Sequence, residues 1–177
     1  MATDFQRRKV AGVFHAMDAD GNGYLDESDF ETLTARWVGI RGWDPGTADH
    51  DRMRAIMMGW WSALATMSDG DRDDRVSLDE LMTVVDQLPK IDDAVYTTAE
   101  AMFDAVDQDG DDRIALAEHQ QVVEAWKGTA DGVEEVFPKL DGDGDGHLSR
   151  EEFRELWAGF WIGDDPKSPS QWVFGPY

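Results

Sequence analysis

Asp141-Gly-Asp-Gly-Asp-Gly-His-Leu-Ser-Arg-Glu-Glu152 puts acids at positions 1, 3, 5 and 12 of a twelve-residue stretch, with one apolar residue, Leu148, at position 8. Three further stretches follow the same pattern, with Asn22 in place of the acid at position 5 of the first: Asp18-Ala-Asp-Gly-Asn-Gly-Tyr-Leu-Asp-Glu-Ser-Asp29, Asp69-Gly-Asp-Arg-Asp-Asp-Arg-Val-Ser-Leu-Asp-Glu80 and Asp107-Gln-Asp-Gly-Asp-Asp-Arg-Ile-Ala-Leu-Ala-Glu118. Position 8 is apolar every time (Leu25, Val76, Ile114, Leu148). A unit repeated four times sets the architecture, because each copy has to fold the same way locally. The four stretches hold 21 of the 38 acids and four Arg, so they carry −17 of the formal charge of −22.

Oxygen-bearing side chains at 1, 3 and 5 and a carboxylate at 12 match the needs of a hard divalent cation. An ion of calcium's size takes six to eight oxygens at about 2.3–2.6 Å, and a loop of this length supplies them from positions 1, 3, 5, a carbonyl at 7, position 9 and position 12. An apolar position 8 lets two loops pair through a short strand and bury that side chain. The flanks read as helices. Phe14 and Met17, Phe103 and Val106, and Phe137 and Leu140 precede the first, third and fourth loops on one helical face. After the loops, Phe30/Leu33/Trp37, Leu81/Val84/Val85/Leu88, Val122/Val123/Trp126 and Phe153/Leu156/Trp157/Phe160 recur at three- and four-residue intervals.

Helix, acidic loop and helix in this order resemble the EF-hand. The resemblance implies an all-α fold: four EF-hand units in two pairs, closed into one globule, with short β-pairing between loops. Expected boundaries are 1–89 for the first pair, 90–162 for the second and 163–177 for a tail on the body. The fourth loop is the most regular, with Asp141, Asp143, Asp145, the His147 carbonyl, Ser149 and Glu152 as ligands and Gly146 at the turn. The third offers Asp107, Asp109, Asp111, the Arg113 carbonyl and Glu118, with Asp112 in place of that glycine and no ligand at Ala115. The first has Asp18, Asp20, Asn22, the Tyr24 carbonyl and Asp26, and closes on Asp29, one methylene shorter than Glu, which suits Mg²⁺ as well as Ca²⁺. In the second, Asp69, Asp71, Asp73, the Arg75 carbonyl, Ser77 and Glu80 look complete. Its incoming helix is out of step, because Met67 and not Ser68 is the last apolar residue. Either the helix unwinds there or the loop is distorted, and the alternative to a working site is a vestigial hand kept for pairing. His119 reads as a polar, partly exposed helix residue and not a ligand.

Without cysteine there is no disulfide framework, thiolate zinc site or cysteine nucleophile. The negative charge repels phosphate backbones and anionic lipid surfaces, so nucleic acid and membrane are not expected partners. Arg7, Arg8 and Lys9 near the start are not followed by an apolar run of secretory type, and Ala55 to Met67 is too short to span a bilayer. A cytoplasmic monomer is the expectation, and Met53, Met57, Met58 and Met67 beside Trp60 and Trp61 read as core.

First Asp residues are 51, 38 and 34 residues apart, and the long first interval contains the turn-rich Gly39-Ile-Arg-Gly-Trp-Asp-Pro-Gly46. That interval, the Asp29-Phe30 pair and the terminal Trp172-Val-Phe-Gly-Pro-Tyr177 resemble the sarcoplasmic calcium-binding protein family, including its calerythrin-like bacterial members. The resemblance implies calcium buffering or transport with three or four Ca²⁺ bound, and in that family one hand, commonly the second in bacterial members, is often inactive. Trp172, Val173, Phe174 and Tyr177 form an apolar end that folds back between the halves or packs on the nearest helix. The competing expectations are a sensor that exposes an apolar groove to a protein partner, and a carrier of an apolar small molecule. No nucleophile or phosphate-binding motif suggests an enzyme.

Overall fold

The structure is a computed structural model that describes residues 2–68 and 73–176. Among these, helices α1 (Asp4–Met17), α2 (Glu27–Arg41), α3 (Ala48–Ser68), α4 (Leu78–Val85), α5 (Asp92–Val106), α6 (Leu116–Lys127), α7 (Val133–Leu140) and α8 (Arg150–Ile162) alternate with the acidic loops and connecting turns. Four short strands lie within or at the end of the loops: β1 (Tyr24–Leu25), β2 (Val76–Ser77), β3 (Arg113–Ala115) and β4 (His147–Ser149). No described helix is long and apolar enough to cross a membrane.

The helix boundaries follow from local chemistry. The Thr3 hydroxyl accepts the Gln6 N–H at 3.2 Å and starts α1. The N–H of Asp18 closes on the Phe14 carbonyl at 2.9 Å and ends it. Asp107 on Phe103 (2.9 Å) and Asp141 on Phe137 (3.1 Å) end α5 and α7 in the same way. The first acid of each of these loops is therefore also the last hydrogen bond of the helix before it. Phe14, Met17, Phe103, Val106, Phe137 and Leu140 are all buried, as their spacing predicts.

Loops pair as antiparallel two-stranded ladders, β1 with β2 and β3 with β4. Leu25 stands opposite Val76 and Ile114 opposite Leu148, so the four apolar position-8 residues meet in register and lose all contact with solvent. Burying them holds the loops of each pair back to back, which ties the shape of one loop to its partner.

Two helix ends differ from the sequence reading. Helix α2 runs on through Gly39 to Arg41, and the chain turns only at Gly42, whose φ of 66° is left-handed, so the insertion is shorter than eight residues. Helix α3 does not unwind before the second loop. It continues to Ser68, which is buried with its hydroxyl donating to the Leu64 carbonyl at 2.6 Å, while Met67 faces out at 39% exposure. Ser68 takes the inward place that Met17, Val106 and Leu140 hold in the other hands. A serine can do so because the helix's own carbonyl satisfies it. Met53 and Met57 are core and Met58 is half-buried, so Met67 is the one that departs from the core expectation.

The halves meet over a wide front after the turn Leu88–Lys90. Trp60 stacks nearly parallel on Trp126 at 5.8 Å and leans on Trp157 at 5.7 Å. Three cations of the first half reach carbonyls near the helix C-termini of the second. Lys9 donates to Gly159 and Gly163 (3.2 and 2.6 Å), Arg36 to Trp126 (3.3 Å), and Arg41 to Ala105 and Val106 (2.8 and 2.5 Å). Positive charge is favourable there, where the helix dipole leaves carbonyls without partners.

The tail closes on the second pair. Phe174 is buried among Trp126, Trp157, Phe160 and Trp161 at ring distances of 5.4, 5.1, 4.7 and 5.9 Å. Its neighbour Val173 turns its carbonyl to His119 Nε2 at 2.8 Å, and Lys127 donates to the Pro176 carbonyl. This corrects the reading of His119, which has no exposed surface at all. The tail covers it, and the tail lies 54 residues away along the chain.

Candidate metal centre

Position 12 organises each loop. Glu152 takes the Gly142 N–H on Oε1 (3.1 Å) and the Ser149 N–H on Oε2 (2.9 Å), so one carboxylate bridges positions 2 and 9. Glu118 repeats this with Gln108 (2.6 Å) and Ala115 (2.9 Å). Asp29 makes the same two bonds, to Ala19 and Asp26, both at 2.9 Å. The missing methylene is taken up by drawing the carboxylate further inside, and Asp29 is almost wholly buried. Burial pushes its pKa up from the usual carboxylate value, against the pull of the two backbone N–H groups.

Position 1 is held as firmly. The two oxygens of Asp18 accept from Asn22 and Gly23, those of Asp107 from Gly110 and Asp112, and those of Asp141 from Gly144, Asp145 and Gly146. These bonds draw Asp141 below its ordinary pKa although desolvation opposes them. The turn they enclose needs positive φ at position 6: 85° at Gly23, 88° at Gly146, and 59° and 63° at Asp74 and Asp112, the described non-glycine residues in that region. Asp112 is held there by Arg150, whose Nε and Nη2 bond its Oδ1 at 2.9 and 2.8 Å. Arg150 also reaches Glu100 and Asp104 (2.9 and 2.8 Å), partners that raise its pKa further.

Among the described residues three carboxylate clusters result: Asp18, Asp20 and Asp29; Asp107, Asp109 and Glu118; Asp141, Asp143 and Glu152. Within each, one oxygen per residue lies within 4.8 Å of the others. Two oxygens on a common ion at about 2.3–2.6 Å can be no further apart than about 5 Å, so the donor sets fit a calcium-sized cation. Three like charges this close repel by about 1 kcal/mol per pair even in water. A divalent ion removes that penalty.

Other predicted ligands have hydrogen-bond or charge partners within their own loops. Asp111 accepts the Arg113 N–H at 2.9 Å, and Asp145 has Arg113 at 3.5 Å and His147 close by. Asn22 accepts from Tyr24 at 2.8 Å. The residues expected to give a carbonyl, Tyr24, Arg113 and His147, begin their strands, and Arg75 immediately precedes its own. Position 9 has a second duty. Asp26 takes the Ser28 N–H and hydroxyl (2.9 and 2.6 Å), and the hydroxyl bond leads the effects that lower its pKa. Ser77 and Ser149 accept the N–H of Glu80 and Glu152 at 3.3 and 3.2 Å. All three cap the exit helix, and Ala115 leaves α6 without a side-chain cap. In the second loop Asp73 accepts from Arg75 and Glu80 from Ser77, as in the other loops, while Asp69 and Asp71 lie outside the described residues.

Paired helix–loop–helix units with position-8 ladders and acidic twelve-residue loops define an EF-hand protein. The EF-hand domain pair family matches residues 96–158 and the EF hand family residues 10–34. The sarcoplasmic calcium-binding protein alpha chain of Penaeus vannamei is 28% identical, with 99% of this chain and 97% of that protein aligned. The chain thus contains EF-hand domains, and over nearly its whole length it is similar to sarcoplasmic calcium-binding proteins. Two of the solved structures that share its fold are calcium-binding proteins. One is the amphioxus sarcoplasmic calcium-binding protein (TM-score 0.76, 19% identity, all of both chains). The other is a Streptomyces coelicolor calcium-binding protein (TM-score 0.74, 24% identity, 90% of this chain and 99% of that one).

Proposed function

We propose that the chain binds Ca²⁺ in its acidic loops and serves as a calcium buffer in the cytoplasm. The observation that carries this reading is the set of three carboxylate clusters, each already braced by backbone N–H bonds so that little ordering remains to be done when an ion enters. Asp18, Asp20 and Asp29, Asp107, Asp109 and Glu118, and Asp141, Asp143 and Glu152 supply the first oxygens, with positions 5, 7 and 9 completing the shell directly or through water. Asp69, Asp71, Asp73 and Glu80 would make a fourth site. The short, buried Asp29 makes the first loop the one that accepts Mg²⁺ as well. Residues 1–89 and 90–162 act as two pairs of one monomeric body, with 163–177 as its seal. Buffering is favoured over sensing because Phe174 of the chain itself fills the apolar face of the second pair.

Calorimetric titration of the metal-stripped protein with Ca²⁺, repeated in millimolar Mg²⁺, tests the reading. Three ions, or four if the second loop works, are expected, with Mg²⁺ competing at the first site. One site at about 1,000 times its Kd adds about 4 kcal/mol to stability. Fewer than three ions would overturn the assignment of the clusters.

The sensor reading has one observation in its favour. A cavity of about 210 Å³ lies between the halves, lined by Phe30, Leu64, Leu81, Trp60 and Trp157 among others, with the exposed Met67 and Ile91 also in its wall. The Streptomyces relative is described as acting in calcium-mediated regulation. Calcium-dependent retention on a hydrophobic resin would favour that reading over the buffer.

A further inference from the structure

Arg41 is the last residue of α2, and the left-handed Gly42 turns the chain away directly after it, so the guanidinium is fixed to the end of a rigid helix. Its Nη2 bonds the Ala105 and Val106 carbonyls at 2.8 and 2.5 Å, and Asp107, the first acid of the third loop, follows Val106. A cation capping the end of α5 would account for those two bonds. It does not account for the rest of the group. Nε and Nη1 are buried with no hydrogen-bond partner, which is costly for a charged donor. The charges that act on the guanidinium against its desolvation are those of Glu118 and Asp107, positions 12 and 1 of the third loop. The Trp43 ring, 5.6 Å away, packs against the group.

We propose that Arg41 is a built-in competitor of the metal at the third loop: a fixed positive charge, supplied by the exit helix of the first hand, that offsets the repulsion among Asp107, Asp109 and Glu118 and weakens divalent-ion binding there. The proposal rests on the calcium reading of that loop. It makes α2 a physical link between two sites, because this helix carries Asp29, which closes the first loop, in its first turn and Arg41 in its last. Burial makes the effect larger than that of a surface cation, since less water screens it.

The test follows the amide signals of Gly110 in the third loop and Gly144 in the fourth by ¹H–¹⁵N NMR, in chelator-buffered Ca²⁺, for the wild-type chain and Arg41→Met, Arg41→Gln and Arg41→Lys. Both neutral variants should move the Gly110 midpoint to about fivefold lower free Ca²⁺ at low salt. Arg41→Lys should stay near wild type, Gly144 should not move, and the difference should largely persist at roughly 1 M KCl, because a buried charge is screened little by salt. Glutamine keeps a donor for the α5 carbonyls, so the charge is tested apart from the cap even if the methionine variant folds poorly. A Gly110 midpoint that is unchanged or higher in Arg41→Gln would sink the proposal and leave Arg41 a structural cap. A wild-type Gly110 signal that ignores Ca²⁺ would instead overturn the calcium reading of the third loop.

Discussion

His119 has to stay neutral. Its Nε2–H donates to the Val173 carbonyl, Nδ1 is buried without a partner, and Phe137 packs 5.6 Å from the ring. Burial pushes the imidazole down to about 4 from its ordinary 6.5. Between those values the unfolded chain holds a proton that the folded chain does not. Stability therefore falls as pH drops from 6.5 towards 4, by up to roughly 3 kcal/mol, and this contribution changes no further below that. Urea unfolding in chelator between pH 7 and 5 should show the decline. In His119→Gln, which keeps a donor and loses the titration, the slope over that range should flatten. Equal slopes would assign the acid sensitivity to other groups.

Among the elements, exit helix α6 lacks the side-chain cap that Asp26, Ser77 and Ser149 give to α2, α4 and α8. Ala115 already has the extended backbone of a cap, φ −76° and ψ 163°, so a serine there needs no rearrangement. Ala115→Ser should stabilise the metal-free protein by about 1 kcal/mol, read from the urea midpoint in chelator. An unaltered midpoint would mean that Glu118, already bonded to the Ala115 N–H, leaves nothing for a hydroxyl to add. The loops and their flanking helices were readable in the sequence because every determinant sits within a few residues: the acids, the position-8 hydrophobe, the aromatic four residues ahead. What could not be read came from distant chain. The burial of His119 depends on Val173, the inward turn of Ser68 on the packing of α3, and the roles of Lys9, Arg36 and Arg41 on helices of the other half. The dual duty of position 9 was legible in principle, since Asp and Ser are favoured caps, but the ligand pattern masked it.

At the scale of the whole molecule, the two pairs differ in how their apolar faces are covered. The second is filled from within by Phe174, and the first adjoins the 210 Å³ cavity beside α3 and α4. Phe174→Ala should cost about 3–5 kcal/mol, the usual loss for a buried aromatic, and should raise binding of a hydrophobic dye in the presence of Ca²⁺. A loss under about 1 kcal/mol would mean that the tail is an ornament on an already complete core. The stacked indoles of Trp60 and Trp126 belong to different halves, and their near-parallel rings lie close enough for their excited states to mix. The protein therefore carries its own optical gauge: an exciton couplet in its circular dichroism should persist while the halves stay docked and vanish when they part, with no label attached.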